Sequence, residues 1–124
     1  MSERILVVDD EQYILRIFSF LLGKWGFEVI TAQNGQEGLN ILKNDKPDLI
    51  LLDMSMPVMD GFQMLEQLRK DPQLKDIPVI MLTANSDTKN IKEASTYGIE
   101  DYLTKPFEPE DLRQRIDSIL AKVN

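Results

Sequence analysis

Three uninterrupted apolar runs punctuate the chain: Ile5-Leu6-Val7-Val8, Leu49-Ile50-Leu51-Leu52 and Val79-Ile80-Met81-Leu82. Each is too short for a helix and each ends in polar residues, the pattern of strands covered on both faces. Phe27 to Ala32 and Ile99 to Thr104 read as two further strands, the second mixed in polarity as suits a sheet edge. Between the runs the period changes. Ile14, Ile17, Phe18, Leu21, Leu22 and Trp25 recur at three-and-four spacing, as do Leu112, Ile116, Ile119, Leu120 and Val123, so both segments predict amphipathic helices. Shorter helices are predicted over Gln36 to Asn44, Phe62 to Lys70 and Thr88 to Tyr97. Their starts carry capping residues: Asn34 with Glu37, Asp60 with Gln63, Ser86 or Asp87, and, for the C-terminal helix, Glu108 before Pro109.

Strand and helix therefore alternate five times. Such alternation calls for an α/β fold in which a parallel sheet carries helices on both faces, joined by right-handed crossovers. For five strands and five helices the expected arrangement is doubly wound and flavodoxin-like, with strand order 2-1-3-4-5. The 124 residues predict one domain spanning 1–124 with no separate output domain. Hydrophobic residues make up 43% and charged residues 28%, the usage of a folded domain rather than a disordered chain.

Charge and missing residue types narrow the chemistry. A formal charge of −7 opposes binding to a phosphate backbone or an anionic membrane surface, so the expectation is no direct nucleic-acid contact and no membrane insertion. Neither a signal peptide nor a long apolar span is present, which makes the cytoplasm the expected location. The absence of Cys and His removes disulfides, thiolate nucleophiles, zinc sites and every mechanism that needs an imidazole. Carboxylates, hydroxyls and lysines remain.

Topology then selects among the aspartates. In an open parallel sheet the ligand crevice lies beyond the carboxyl ends of the strands at the switch point, here between strands one and three. Strand one ends in Asp9-Asp10-Glu11 and strand three in Asp53. At least three carboxylates are thus expected at one crevice, where like charges repel and a cation should compensate. Oxygen ligands without His or Cys select Mg²⁺, with Mn²⁺ as the alternative. The next two strands end in Thr83 and Lys105, whose ammonium can reach across to Asp53. Taken one at a time, these residues also fit blander roles: helix caps for Asp9 and Asp10, a turn for Asp53, a solvated loop charge for Lys105. Asp60 reads as a helix cap, and the local cluster of Met54, Met56 and Met59 reads as gap-filling core in preference to a binding surface.

Together, Asp9-Asp10, the lone Asp53 followed by Met56-Pro57 and Asp60-Gly61, the pair Thr83-Ala84, and Lys105-Pro106-Phe107 resemble the receiver domain of two-component response regulators along essentially the whole chain. The match is closest to the stand-alone, chemotaxis-regulator-like kind. The resemblance implies that Asp53 is phosphorylated from a phosphohistidine on a sensor histidine kinase. It implies that Asp10, Asp53 and the Ser55 carbonyl ligate Mg²⁺, with Asp9 acting through the metal's water. Lys105 would pair with the phosphoryl oxygens and Thr83 would hydrogen-bond to them, while Tyr102 would be the switch aromatic that turns inward. The Lys105-Pro106 bond would be cis. Ser55 and Asn85 stand where the family tunes phosphoryl lifetime. Such a protein catalyses only its own phosphorylation and dephosphorylation and is not a turnover enzyme. It would be a monomer before phosphorylation and would signal by binding a downstream protein through the Thr88–Tyr97 helix, the fifth strand and the C-terminal helix. The alternative is a relay intermediate or phosphate sink that serves a histidine phosphotransfer protein.

Other classes fail at named positions. An FMN-binding carrier of flavodoxin type wants a Ser/Thr/Gly-rich phosphate loop where this chain has three acids. A phosphatase of haloacid dehalogenase type needs an Asp at the place of Ser55. No Gly-rich nucleotide fingerprint or P-loop lysine is present.

Overall fold

The structure, a computed structural model, describes residues 3–54, 56, 59–83, 92 and 95–123 of the 124. In chain order the elements are β1 (Arg4–Val8), α1 (Gln12–Lys24), β2 (Glu28–Ala32), α2 (Gly35–Leu42), β3 (Leu49–Asp53), α3 (Gly61–Lys70), β4 (Val79–Thr83), β5 (Asp101–Thr104) and the C-terminal helix α4 (Pro109–Val123). The strands form one parallel sheet in the order β2-β1-β3-β4-β5, the order that the alternating pattern requires. Four helices stand among the described residues. The predicted helix Thr88 to Tyr97 and its caps Ser86 and Asp87 lie largely outside them.

The apolar runs are the inner strands. All five residues of β3 and of β4 are buried, because each strand has a neighbour on both sides and a helical layer on both faces. The edge strands β2 and β5 are only partly buried, which accounts for their mixed polarity. Side chains alternate across the sheet and split the core in two. Ile5, Val7, Leu49, Leu51, Ile80, Leu82 and Leu103 face α1 and α4, where Phe18 stacks on Phe107 at a centroid distance of 5.0 Å. Leu6, Val8, Ile50, Leu52, Val79 and Met81 face α2 and α3. Met54 and Met56 are buried in this second core and Met59 packs against it, as gap-filling core residues.

The edge strands begin later than the hydrophobic pattern suggests, and turn chemistry explains both delays. Phe27 remains part of the α1 terminus: its N–H donates to Leu22 O at 2.9 Å and that of Gly26 to Gly23 O at 3.1 Å. This is a Schellman closure that places Gly26 at φ 93°. Gly98, at φ 76°, likewise turns the chain ahead of β5. The Arg69 guanidinium holds that turn, donating to the carbonyls of Tyr97 and Gly98 and to those of Lys75 and Ile77. Caps act where the sequence places them for α2 and α3. Asn34 accepts from Glu37 N at 2.8 Å, and Asp60 with Gln63 forms a reciprocal capping box.

Candidate functional site

Parallel pairing places Val8 beside Leu52, so the next residues, Asp9 just past β1 and Asp53 at the end of β3, stand at the same level. Both continue the rows of side chains that face α1 and α4, since their odd-numbered predecessors do so. Asp9 is fully buried and Asp53 is 6% exposed, whereas Asp10 is exposed at the mouth. One carboxylate oxygen from each of the three lies within 4.8 Å of the others.

Lys105 follows β5 directly and its N–H donates to Thr83 O at 2.8 Å. A cis peptide bond joins it to Pro106. Its ammonium crosses the strand ends to Asp9 Oδ2 at 2.7 Å, with Asp53 Oδ2 at 3.6 Å and Glu11 Oε1 at 3.8 Å. Burial by itself pulls this ammonium toward neutrality. The Asp9 hydrogen bond and the charges of Asp53, Asp9 and Glu11 outweigh burial and raise its pKa above the usual lysine value. Its nearest partner is Asp9 rather than Asp53, a choice that sequence spacing does not reveal.

Asp9 does not cap α1. The capping position belongs to Glu11, whose side chain makes no capping bond, and Asp9 Oδ1 instead accepts from Glu11 N at 3.0 Å. That bond turns the chain at the strand end and sends Glu11 toward Lys105. Thr83 closes β4 one position beyond Leu82, which pairs with Asp53. It is 1% exposed, and its Oγ1 is buried with no hydrogen-bond partner among the described residues. An unsatisfied buried hydroxyl is costly, and an oxygen arriving in the crevice within its reach would relieve that cost. Tyr102 on β5 points outward, 42% exposed, and its carbonyl accepts from Arg115, which also pairs with Asp101 and Asp111. Ser55 and Asn85 lie outside the described residues.

The described donors at this crevice are all oxygen. The clustered carboxylates of Asp9, Asp10 and Asp53, with Glu11 beside them, oppose the Lys105 ammonium, and such a hard, net negative set fits Mg²⁺. Sequence reasoning missed two features: the reach of Glu11 toward Lys105, and the closeness of Gly61 to the backbone of Asp53, where a Cβ would meet Asp53 O at 2.4 Å. A glycine opening a helix, where it is a poor helix former, was the available signal for the second.

The family model described as "Response regulator receiver domain" matches residues 5–117. A protein of Porphyridium aerugineum named "Probable transcriptional regulator ycf27" is 43% identical over 99% of this chain and 50% of its own length. The chain spans about half the length of the curated relatives it matches first. Those relatives are named as probable transcriptional regulators, so they lend no support to the expectations of a stand-alone protein or of no nucleic-acid contact. The charge of −7 belongs to these 124 residues and does not speak for other segments of a longer regulator. Among solved structures, the chemotaxis protein CheY4 of Vibrio cholerae superposes with a TM-score of 0.90 at 34% identity, over 96% of this chain and 99% of that one. The receiver domain of sensor histidine kinase PA1611 from Pseudomonas aeruginosa superposes with a TM-score of 0.89 at 26% identity, over 98% and 99%. That structure has a magnesium ion coordinated in its active site cleft. Among the described residues, no helix of this chain is long and apolar enough to cross a membrane.

Proposed function

Since this chain belongs to the family of response regulator receiver domains, we propose that Asp53 accepts a phosphoryl group from a phosphohistidine on a separate sensor histidine kinase. The bond from histidine nitrogen to phosphorus breaks as one forms from an Asp53 carboxylate oxygen to phosphorus, and the imidazole leaves. The observation that carries the reading is the nearly buried Asp53 carboxylate with the Lys105 ammonium 3.6 Å away, among described donors that are all oxygen. Asp10 and Asp53, with the Ser55 carbonyl, would hold Mg²⁺, and Asp9 would act through a metal water. When bound, the ion neutralises phosphoryl oxygens and helps to align them.

The rest of the work falls to this chain's own groups, because phosphoryl transfer needs positioning and charge neutralisation more than covalent help. Lys105 moves from compensating Asp9 and Asp53 to pairing with the phosphoryl oxygens. The Thr83 hydroxyl, without a partner among the described residues, donates to one of them. Its displacement gives the outward Tyr102 space to turn in, which changes the surface of β5 and the C-terminal helix. A downstream protein or a phosphotransfer protein reads that surface. The names of the relatives favour a second reading of the output, as the receiver half of a transcriptional regulator.

Acetyl phosphate with Mg²⁺ tests the assignment. Intact-mass analysis is expected to show one added phosphoryl group, labile in base, and none in Asp53→Asn. Equal labelling of that variant would remove Asp53 as the acceptor.

A further inference from the structure

We propose that Gly61 is a positioning residue for Asp53, a role that rests on the phosphoacceptor reading above. Helix α3 begins at Gly61, and its N–H donates to Met54 O at 3.0 Å. A Cβ at this position would stand 2.4 Å from Asp53 O, 2.9 Å from Met54 Cα and 3.1 Å from the Asp53 carbonyl carbon. All three are backbone atoms, so no side-chain rotation can make room. Conformational freedom is not what the position needs: the positive-φ glycines are Gly26 and Gly98. It needs the missing side chain.

Neither party to that contact can withdraw cheaply. On its other side the β3 end is held by β4, through Met54 N donating to Leu82 O at 3.0 Å. The start of α3 is held by the Asp60–Gln63 capping box, and its body by the fully buried Met64, Leu65 and Leu68. Any side chain at 61 must therefore bend the Asp53–Met54 backbone or lift the first turn of α3. Bending moves the Asp53 carboxylate relative to Asp9, Asp10 and Lys105, and site geometry tolerates only fractions of an ångström before rates fall. Gly38 serves as the comparison. A Cβ there meets side chains only, the far end of Met64 at 2.9 Å and Val8 at 3.3 Å, so Met64 can give way without bending the backbone at the strand ends.

The experiment compares wild type, Gly61→Ala and Gly38→Ala for thermal stability in chelator, Mg²⁺ affinity by calorimetry, and phosphoryl uptake from acetyl phosphate at saturating Mg²⁺. Both variants are expected to melt below wild type. Gly61→Ala is expected to bind Mg²⁺ and take up phosphoryl at least about tenfold less well, while Gly38→Ala stays near wild type in both. Gly61→Ala with wild-type affinity and rate overturns the proposal, and so does an equal loss in Gly38→Ala. If Gly61→Ala does not fold, the charge-neutral Gln63→Ala, which opens half of the capping box, takes its place. It is expected to weaken Mg²⁺ binding, and unchanged binding overturns the proposal. If wild type takes up no phosphoryl group, the acceptor reading fails by itself. The positioning role is then decided by the metal-free amide resonances of Asp53 and Met54, which Gly61→Ala must shift and Gly38→Ala must not.

Discussion

Lys105 and Asp9, 96 residues apart in the chain, form the shortest ion pair at the crevice, 2.7 Å from Nζ to Oδ2. Asp9 is fully buried and Lys105 largely so, and removing one partner of such a pair leaves a buried charge without compensation. Lys105→Met is accordingly expected to lose about 3 kcal/mol in metal-free buffer at neutral pH, read from urea unfolding. Mg²⁺ should restore part of the loss by supplying positive charge. A cost no larger than that of removing the exposed Lys70 would mean that the pair is not maintained in solution.

The same pair sets an alkaline dependence. The folded pKa of Lys105 lies above the ordinary 10.5 because its carboxylate partners outweigh burial, so the native state holds this proton more tightly than the unfolded chain. Its stabilising contribution is complete below 10.5 and disappears as pH rises through the raised value. The stability difference between wild type and Lys105→Met should therefore be level near neutrality and shrink in alkali. A difference that grows with pH would contradict the ion pair.

The three aspartates should separate by sign. Asp53→Asn and Asp10→Asn remove repulsion and are expected to raise the melting temperature in chelator, an advantage that Mg²⁺ cancels. Asp9→Asn removes the principal partner of Lys105 and should lower it. Thermal melts of the three variants with and without Mg²⁺ check this, and a common sign in chelator would show that the carboxylates do not differ in role.

Signal output is expected to depend on Thr83 and Tyr102. With Asp53 phosphorylated to the same extent, Thr83→Ala and Tyr102→Ala should lose most of the affinity change for a downstream partner, a coupling of about 1–3 kcal/mol. Titration calorimetry or surface binding measures it. If both variants bind as phosphorylated wild type does, the message travels by another route.

The inner strands were legible because burial on both faces leaves a local signature, four consecutive apolar residues ended by a polar one. The carboxylates were legible because a parallel sheet brings strand ends together, so Asp9, Asp10 and Asp53 could be placed at one crevice from chain order alone. The start of β5 was less legible: Ile99 reads as strand, yet the Gly98 turn held by Arg69 delays pairing until Asp101.

Alternation, periodicity and residue type thus determined the five-stranded order, the two-sided core and an oxygen-only site at the strand ends, since each rests on neighbours in sequence or on connection rules. Tertiary structure alone decided that Lys105 pairs first with Asp9, that Thr83 Oγ1 is buried and Tyr102 outward, and that Gly61 must lack a side chain. Those outcomes depend on distances between segments far apart in the chain, where differences of an ångström or less separate one partner from another.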